Sequence, residues 1–288
     1  MDGRVIAAHG RQYLVELSDG LILPCFTRGK KSDVVCGDYV SLMRSSDDQG
    51  VIETIQPRIS LLYRSNEVKQ KLIAANVDQL LIVVATEPAF SDDLITRALI
   101  AAESEEIEPL IVLNKCDLTD KLSVARERLA MFARIGYRII ELSALEHAED
   151  LRPELLGVTS VLVGQSGMGK STLVNALAPE AKAATREISL ALDSGKHTTT
   201  HATLYHLGFD SHLIDSPGLQ EFGLGHLDRQ EIEQSFPEFR PHLGQCRFRD
   251  CRHNKEPNCA LIAAVHAGKI DEKRFDAYHR IVGSKRDN

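Results

Sequence analysis

The chain has 288 residues, 43% of them hydrophobic and 26% charged, with a formal net charge of −7. That make-up suits a globular protein of one large domain or two to three small ones, and it excludes a protein that coats nucleic acid through bulk charge. No apolar run approaches the roughly 20 residues that span a bilayer, and the opening MDGRVIAAHG lacks the basic and apolar regions of a signal peptide, so a cytoplasmic protein without a membrane partner is expected.

Residues 1–60 carry five short strand-like runs, GRVIAAHG, QYLVELSDG, LILPCFTRG, GDYVSLMRS and GVIETIQPR, separated by turn residues and without a helical period. That spacing predicts a small all-β barrel of the OB type, with an SH3-like barrel as the second choice. From residue 77 the pattern changes. VDQLLIVVAT and PLIVLNKCD read as strands buried on both faces, YRIIELSAL and TSVLVGQSG as a third and a fourth strand, with helices predicted over about 91–104 and 119–134 and over KSTLVNALA. HATLYHLGFDSHLID reads as two strands joined by a turn near Gly208–Ser211. The alternation predicts a doubly wound α/β sheet. After about residue 229 the strands stop. RQEIEQSFPEF is predicted helical up to Pro237, and further helices over about 258–267 and 271–282 follow a Cys/His cluster. The expected units are 1–62, 63–228 and 229–288.

GQSGMGKS, residues 164–171, fits the phosphate-loop pattern G-x-x-x-x-G-K-[ST] between a strand and a helix. Gly164, Gly167 and Gly169 let the backbone N–H groups curl around phosphate, with Gln165, Ser166, Met168 and Thr172 filling out the cradle. Lys170 is expected to reach the β and γ phosphates and Ser171 to coordinate Mg²⁺. In DSPG, Asp215 would hold Mg²⁺ through water and Gly218 would offer its N–H to the γ-phosphate.

NKCD, residues 114–117, is a guanine reader by chemistry: the Asp117 carboxylate can accept from guanine N1–H and N2–H₂, which adenine cannot offer. Asn114 can bond the base or tie its loop to the phosphate loop, and the Lys115 stem can cover the ring. Ser143 and Ala144 follow the next strand, where a backbone N–H would meet guanine O6. NKCD precedes the phosphate loop, the reverse of the usual order. Cutting the sheet before VDQLLIVVAT and joining its original ends near residue 157 restores that order and brings both motifs to one edge.

Between the phosphate loop and DSPG lies GKHTTTH, residues 195–201. A Thr hydroxyl here, Thr199 with Thr198 as the alternative, can complete the Mg²⁺ shell and sense the γ-phosphate. Leu219 stands where many GTPases place the water-orienting Gln. His197 is the nearest candidate for that role, against the alternative of an exposed loop histidine. His197 and His201 are four apart, a metal-binding spacing only on a helix, which the threonines and glycine oppose.

Cys246, Cys251, His253 and Cys259 are four soft ligands clustered in a chain whose six cysteines do not suggest a disulfide framework. They predict one structural Zn²⁺ pinning a small helical unit. Cys25, Cys36 and Cys116 read as buried apolar residues. Candidate basic faces are RGKK (28–31), the set Arg58, Arg64, Lys69 and Lys71, and KRFDAYHRIVGSKR.

Together the N-terminal barrel, the early NKCD, GQSGMGKS, GKHTTT, DSPG…EFGL and CRFRDCRH…C resemble the RsgA (YjeQ) family of circularly permuted, ribosome-associated GTPases over essentially the whole chain. The resemblance implies a multidomain protein: an OB-fold barrel, a circularly permuted α/β P-loop GTPase domain and a C-terminal helical zinc-binding domain. It implies GTP and GDP as ligands, Mg²⁺ with GTP, His197 as the proposed catalytic group, and stimulation by the small ribosomal subunit late in that subunit's maturation. Barrel and zinc unit would contact ribosomal RNA. A monomer is expected. Many relatives carry a basic N-terminal extension, whereas this chain starts almost at the barrel, so no RNA contact through such a tail is expected. The alternatives are a non-enzymatic RNA-binding module regulated by nucleotide, a permuted GTPase acting on the large subunit, and a P-loop ATPase, against which Asp117 stands.

Overall fold

Alternating apolar residues at the N-terminus close a barrel. The computed structural model describes residues 1–29, 33–65, 70–179, 202–216 and 222–284. Strands β1 (Asp2–His9), β2 (Gln12–Leu17), β3 (Ile22–Thr27), β4 (Tyr39–Arg44) and β5 (Gly50–Ile55) are hydrogen-bonded in the order β1-β2-β3-β5-β4, and β4 returns to β1 with Gly3 opposite Val40. β3 and β5 are parallel, the others antiparallel, which is the five-stranded Greek-key barrel expected of an OB fold. Val5, Tyr13, Val15, Leu23, Val40 and Leu42 fill its interior, while Tyr39 and Met43, on the alternate face of β4, stay exposed.

A hairpin of β6 (Leu61–Ser65) and β7 (Gln70–Ala75) follows. It was not anticipated, because residues 61–75 contain no Gly or Pro to mark a turn.

The six remaining strands are β8 (Gln79–Ala85), β9 (Glu108–Asn114), β10 (Arg138–Glu141), β11 (Thr159–Val163), β12 (Thr203–Gly208) and β13 (Ser211–Asp215). Their order is β10-β9-β8-β11-β13-β12, all parallel except β12. β8 and β11 are buried at every position, as their unbroken apolar runs require. Counted from β11, the spatial order reads 6-5-4-1-3-2, so the chain enters a conventional nucleotide-binding sheet half-way. The switch point lies between β11 and β8, and a ligand crevice opens there at the strand C-termini. The barrel joins this sheet where Ala7 of β1 faces Thr203 of β12 and where Arg4 Nη2 donates to Thr159 Oγ1 at 2.9 Å.

Helix α1 (Asp92–Ser104) starts where Ser91 Oγ accepts from the Leu94 N–H, with Asp92 and Asp93 in its first turn complementing the helix dipole. α2 (Leu122–Ile135) and α3 (Lys170–Leu177) complete the layers around the sheet. Beyond it, α4 (Arg229–Gln234) begins in a capping box between Asp228 and Glu231. The helix was expected to reach Pro237. It stops earlier because Ser235 Oγ bonds back to the Glu231 carbonyl at 2.7 Å, and a residue preceding proline disfavours the helical region. α5 (Ala260–His266) and α6 (Glu272–Gly283) follow, α6 capped by Asp271. Among the described residues no helix is long and apolar enough to cross a membrane.

Two residues of the candidate basic faces turn out to be committed to ion pairs, Arg58 half-buried and Arg274 fully buried. Arg58 donates to both carboxylate oxygens of the buried Asp38, at 2.7 and 2.8 Å. Arg274, fully buried on α6, pairs with Glu238 at 2.7 Å, donates to Thr96 of α1 at 3.1 Å and stacks 4.4 Å from the centroid of Phe236. It thereby locks the helical unit onto the sheet domain. Glu238→Ala would strand this cation in the core, and chemical denaturation is expected to show a loss of about 3–5 kcal/mol. A loss below about 1 kcal/mol would mean that the carboxylate is not needed to keep the Arg274 cation in the core.

Candidate nucleotide site and metal centre

Four strand ends and two helix starts build the first site. β11 runs into the glycine loop, which ends at the N-terminus of α3, so backbone N–H groups and the helix dipole point into one space. Gly164 has φ of +146°, and a Cβ there would lie 2.3 Å from the Val83 carbonyl of the neighbouring strand. Gly169, at φ of +91°, would place a Cβ 2.2 Å from Asn114 Nδ2. No other residue fits either position, which explains the motif's spacing in steric terms. Lys170 lies over the loop, its ammonium donating to the Gly164 and Gln165 carbonyls at 2.6 and 2.8 Å. Burial lowers its pKa below the ordinary lysine value, opposed by the negative charge of Asp215.

Asn114, at the end of β9, joins the loops together. Its Nδ2 donates to the Met168 carbonyl at 2.9 Å and its Oδ1 accepts from the Ala144 N–H at 2.8 Å. The side chain is 1% exposed, so both bonds are shielded from water. Ser143 is buried beside it and Asp117 is exposed at the pocket rim. Lys115 takes a left-handed backbone conformation at φ of +61°, with its ammonium on the Glu87 carbonyl at 2.9 Å. Gln165 Oε1 accepts from the Ser91 N–H at 2.8 Å, tying the phosphate loop to the start of α1. Ser166, Gly167, Ser171 and Thr172 lie on the loop and the first turn of α3, with Ser166 and Ser171 exposed. Asp215 ends β13, paired in register with Leu162 of β11, one strand from the loop.

The structure therefore brings Asn114, Lys115, Asp117, Ser143, Ala144, the 164–172 segment and Asp215 to one edge of the sheet. His197, Thr198, Thr199, His201 and Gly218 lie outside the described residues. Thr86 and Glu87, which contact the NKCD turn, were missed, because a lone Thr-Glu-Pro after a strand carries no motif.

The second site lies in the loop before α5. Cys246 Sγ stands 3.9 Å from Cys259 Sγ and 3.5 Å from His253 Nδ1, and Nδ1 is 3.3 Å from Cys259 Sγ. With Cys251, all four donor atoms lie within 4.8 Å of one another. A tetrahedral ion bonded to sulfur at about 2.3 Å and to nitrogen at about 2.0–2.1 Å spaces its ligands by about 3.5–3.8 Å. The cluster fits that spacing and can hold a metal ion. His253 Nε2 faces Glu233 Oε1 at 3.5 Å, and that same carboxylate oxygen accepts from Tyr278 at 2.7 Å and Arg229 at 2.8 Å. Burial works to raise the Glu233 pKa, but the bonds from His253 and Tyr278 and the charge of Arg229 outweigh it and hold the carboxyl below its ordinary value. An ionised carboxylate behind the imidazole orients Nδ1 towards the metal position. Glu233, Arg229 and Tyr278 carried no signal in the sequence, since they reach the cluster from two other helices.

The family model described as RsgA GTPase matches residues 55–225. The chain belongs to the RsgA GTPase family. Like the family it is a GTP-hydrolysing enzyme, and its sheet carries the permuted strand order. It is 56% identical over 285 residues to a protein of Burkholderia pseudomallei named "Small ribosomal subunit biogenesis GTPase RsgA", covering 97% of this chain and 91% of that one. A protein of the same name from Bordetella pertussis is 55% identical over 287 residues, covering 98% and 95%. Among solved structures, YjeQ from Thermotoga maritima superposes with a TM-score of 0.77 at 30% identity, covering 100% of this chain and 99% of that one. YloQ, described as a circularly permuted GTPase, gives 0.73 at 28% identity, covering 99% and 95%. An RsgA GTPase thus needs no rearrangement of the nucleotide site to accommodate its early NKCD: the permutation moves the chain ends and leaves the crevice intact.

Proposed function

We propose that this chain is a biogenesis factor of the small ribosomal subunit whose GTP hydrolysis is stimulated by that subunit late in its maturation. The observation that carries this reading is the double anchorage of Asn114 on Met168 and Ala144, which ties NKCD to the phosphate loop in permuted order, in a chain 56% identical to proteins named for that role. The units are 1–62, 63–228 and 229–288, the first and last contacting ribosomal RNA. The protein works in the cytoplasm as a monomer.

In the proposed site, Asp117 reads the guanine N1–H and N2–H₂, the Ala144 region meets O6, and the Lys115 stem covers the ring. Backbone N–H groups from Gly164 to Thr172 cradle the phosphates, and Lys170 moves from its loop carbonyls to the β and γ oxygens. Ser171, Asp215 and Thr199 would hold Mg²⁺, which would supply neutralisation of the phosphate charge. His197 orients the attacking water and Gly218 bonds the γ-phosphate. The Cys246–Cys251–His253–Cys259 set takes Zn²⁺, since three thiolates and one imidazole in a closed set suit that ion.

GTP turnover of the wild type and of His197→Ala, each with and without purified small subunits, tests the reading. Wild type is expected to accelerate with small but not large subunits, and His197→Ala to lose about 10²-fold or more of the stimulated rate while still binding GDP. Turnover indifferent to small subunits would sink the proposal, and an unimpaired His197→Ala would remove that residue's role.

A further inference from the structure

The NKCD turn is braced by a residue of the neighbouring strand that belongs to no motif. β8 runs past its last strand residue, Ala85, into Thr86, which is 5% exposed. The Thr86 N–H donates to the Asn114 carbonyl at 3.2 Å, and its hydroxyl donates to the Lys115 carbonyl at 2.9 Å. One side chain and its own backbone therefore hold two consecutive peptide groups of the guanine-reading turn. The turn needs holding, because Lys115 sits in the left-handed region, which a residue with a Cβ adopts at a cost and keeps only when its surroundings impose it. This inversion is what lets Asn114 stay bonded to the phosphate loop while Asp117, three residues on, reaches the rim. The next residue, Glu87, continues the brace: its carbonyl takes the Lys115 ammonium at 2.9 Å and its carboxylate pairs with Lys121 at 2.8 Å. Glu87 and Asp117 line the same cavity, of about 230 Å³.

We infer that Thr86 is a positioning residue for guanine recognition, setting the Lys115–Asp117 turn so that the Asp117 carboxylate meets both guanine donors. This rests on the guanine reading of Asp117 given above. Thr86 acts through Lys115 and does not itself touch the base. The Lys115 carbonyl also accepts from the Leu118 N–H at 3.0 Å, so removing the Thr86 hydroxyl leaves no orphaned buried acceptor. The loss falls on the placement of the turn and not on the fold.

The test uses the full chain as wild type, Thr86→Val, which keeps the shape and removes the donor, and Thr86→Ser, which keeps the donor. Equilibrium dissociation constants are measured for GDP, for IDP, which lacks the 2-amino group, and for ADP, with kcat and KM for GTP. Thr86→Val is expected to weaken GDP by up to about tenfold and IDP by much less, so that the GDP-to-IDP preference shrinks. KM should rise with kcat at saturation unchanged, and Thr86→Ser should stay within about twofold of wild type. Wild-type GDP affinity in Thr86→Val, equal weakening of GDP and IDP, or a Ser variant as impaired as the Val variant would each overturn the inference while leaving the guanine reading intact. A wild type that binds ADP as well as GDP would remove the guanine reading and the inference with it.

Discussion

Lys170→Ala is expected to reduce GTP turnover by about 10²–10³-fold, the loss usual when a preorganised charge is removed from a site of transition-state stabilisation. The ammonium is already in place: it lies across the glycine loop on the Gly164 and Gln165 carbonyls, with the Asp215 charge close enough to favour its protonated form against the effect of burial. The two carbonyl bonds hold it at the mouth of the cradle, so little reorganisation separates this position from a phosphate oxygen. The substitution removes the cation but leaves the loop glycines and the Asn114 anchorage untouched, so the fold should survive. Turnover and GDP affinity measured on the same preparation would show the effect as a fall in kcat together with weaker binding. Turnover within about threefold of wild type, with binding retained, would exclude Lys170 from phosphate chemistry.

The second large effect concerns the metal. With the zinc proposed for the Cys246–Cys251–His253–Cys259 set, chelation, or Cys259→Ser, is expected to release one equivalent of that ion and to unravel residues 240–260, because metal binding in such sites supplies about 10–16 kcal/mol of apparent free energy that is also folding free energy. The helical unit will not come apart entirely. Its aromatic core of Phe236, Phe239, Phe275 and Tyr278 lies on α6 and just beyond α4, helices that pack on α1, where Arg274 pins it. Hydrogen exchange should therefore show lost protection around Cys246–Cys259, partial loss in α5 and α6, and near-native protection in β8, β9 and β11, with GDP binding preserved. Glu233→Gln offers a milder version: weakening the carboxylate behind His253 should lower metal affinity by about 10–100-fold without removing a ligand. Unchanged protection in the metal-free protein would show that the cluster does not hold this loop together.

Each of the two sites was legible in the sequence to the extent that its residues are neighbours along the chain. GQSGMGKS could be read because its fixed residues are consecutive, although the atoms that exclude a Cβ at Gly164 and Gly169, the Val83 carbonyl and Asn114 Nδ2, come from two other strands. Cys246 to Cys259 could be read because four soft donors lie within a single loop. The residues that orient them could not. Glu233 and Tyr278 approach His253 from α4 and α6, and Thr86 reaches NKCD from a parallel strand, with no spacing that a linear pattern records. Arg58 and Arg274 were misread for the same reason. A cation in a sequence looks solvated until the carboxylate that neutralises it, here Asp38 or Glu238, is seen to fold against it.

By itself, the sequence determined the NKCD and GQSGMGKS motifs, the Cys/His cluster that can hold a metal ion and the fact that the chain is permuted. All of these follow from local conformation, hydrophobic period and ligand chemistry, which act over a few residues. Only the tertiary structure decided which side chains brace those groups, which charges are buried, that a β6–β7 hairpin exists, and that Arg274 ties α6 to α1. These depend on contacts between elements far apart in the chain, whose energies come from burial and from the pairing of charges removed from water.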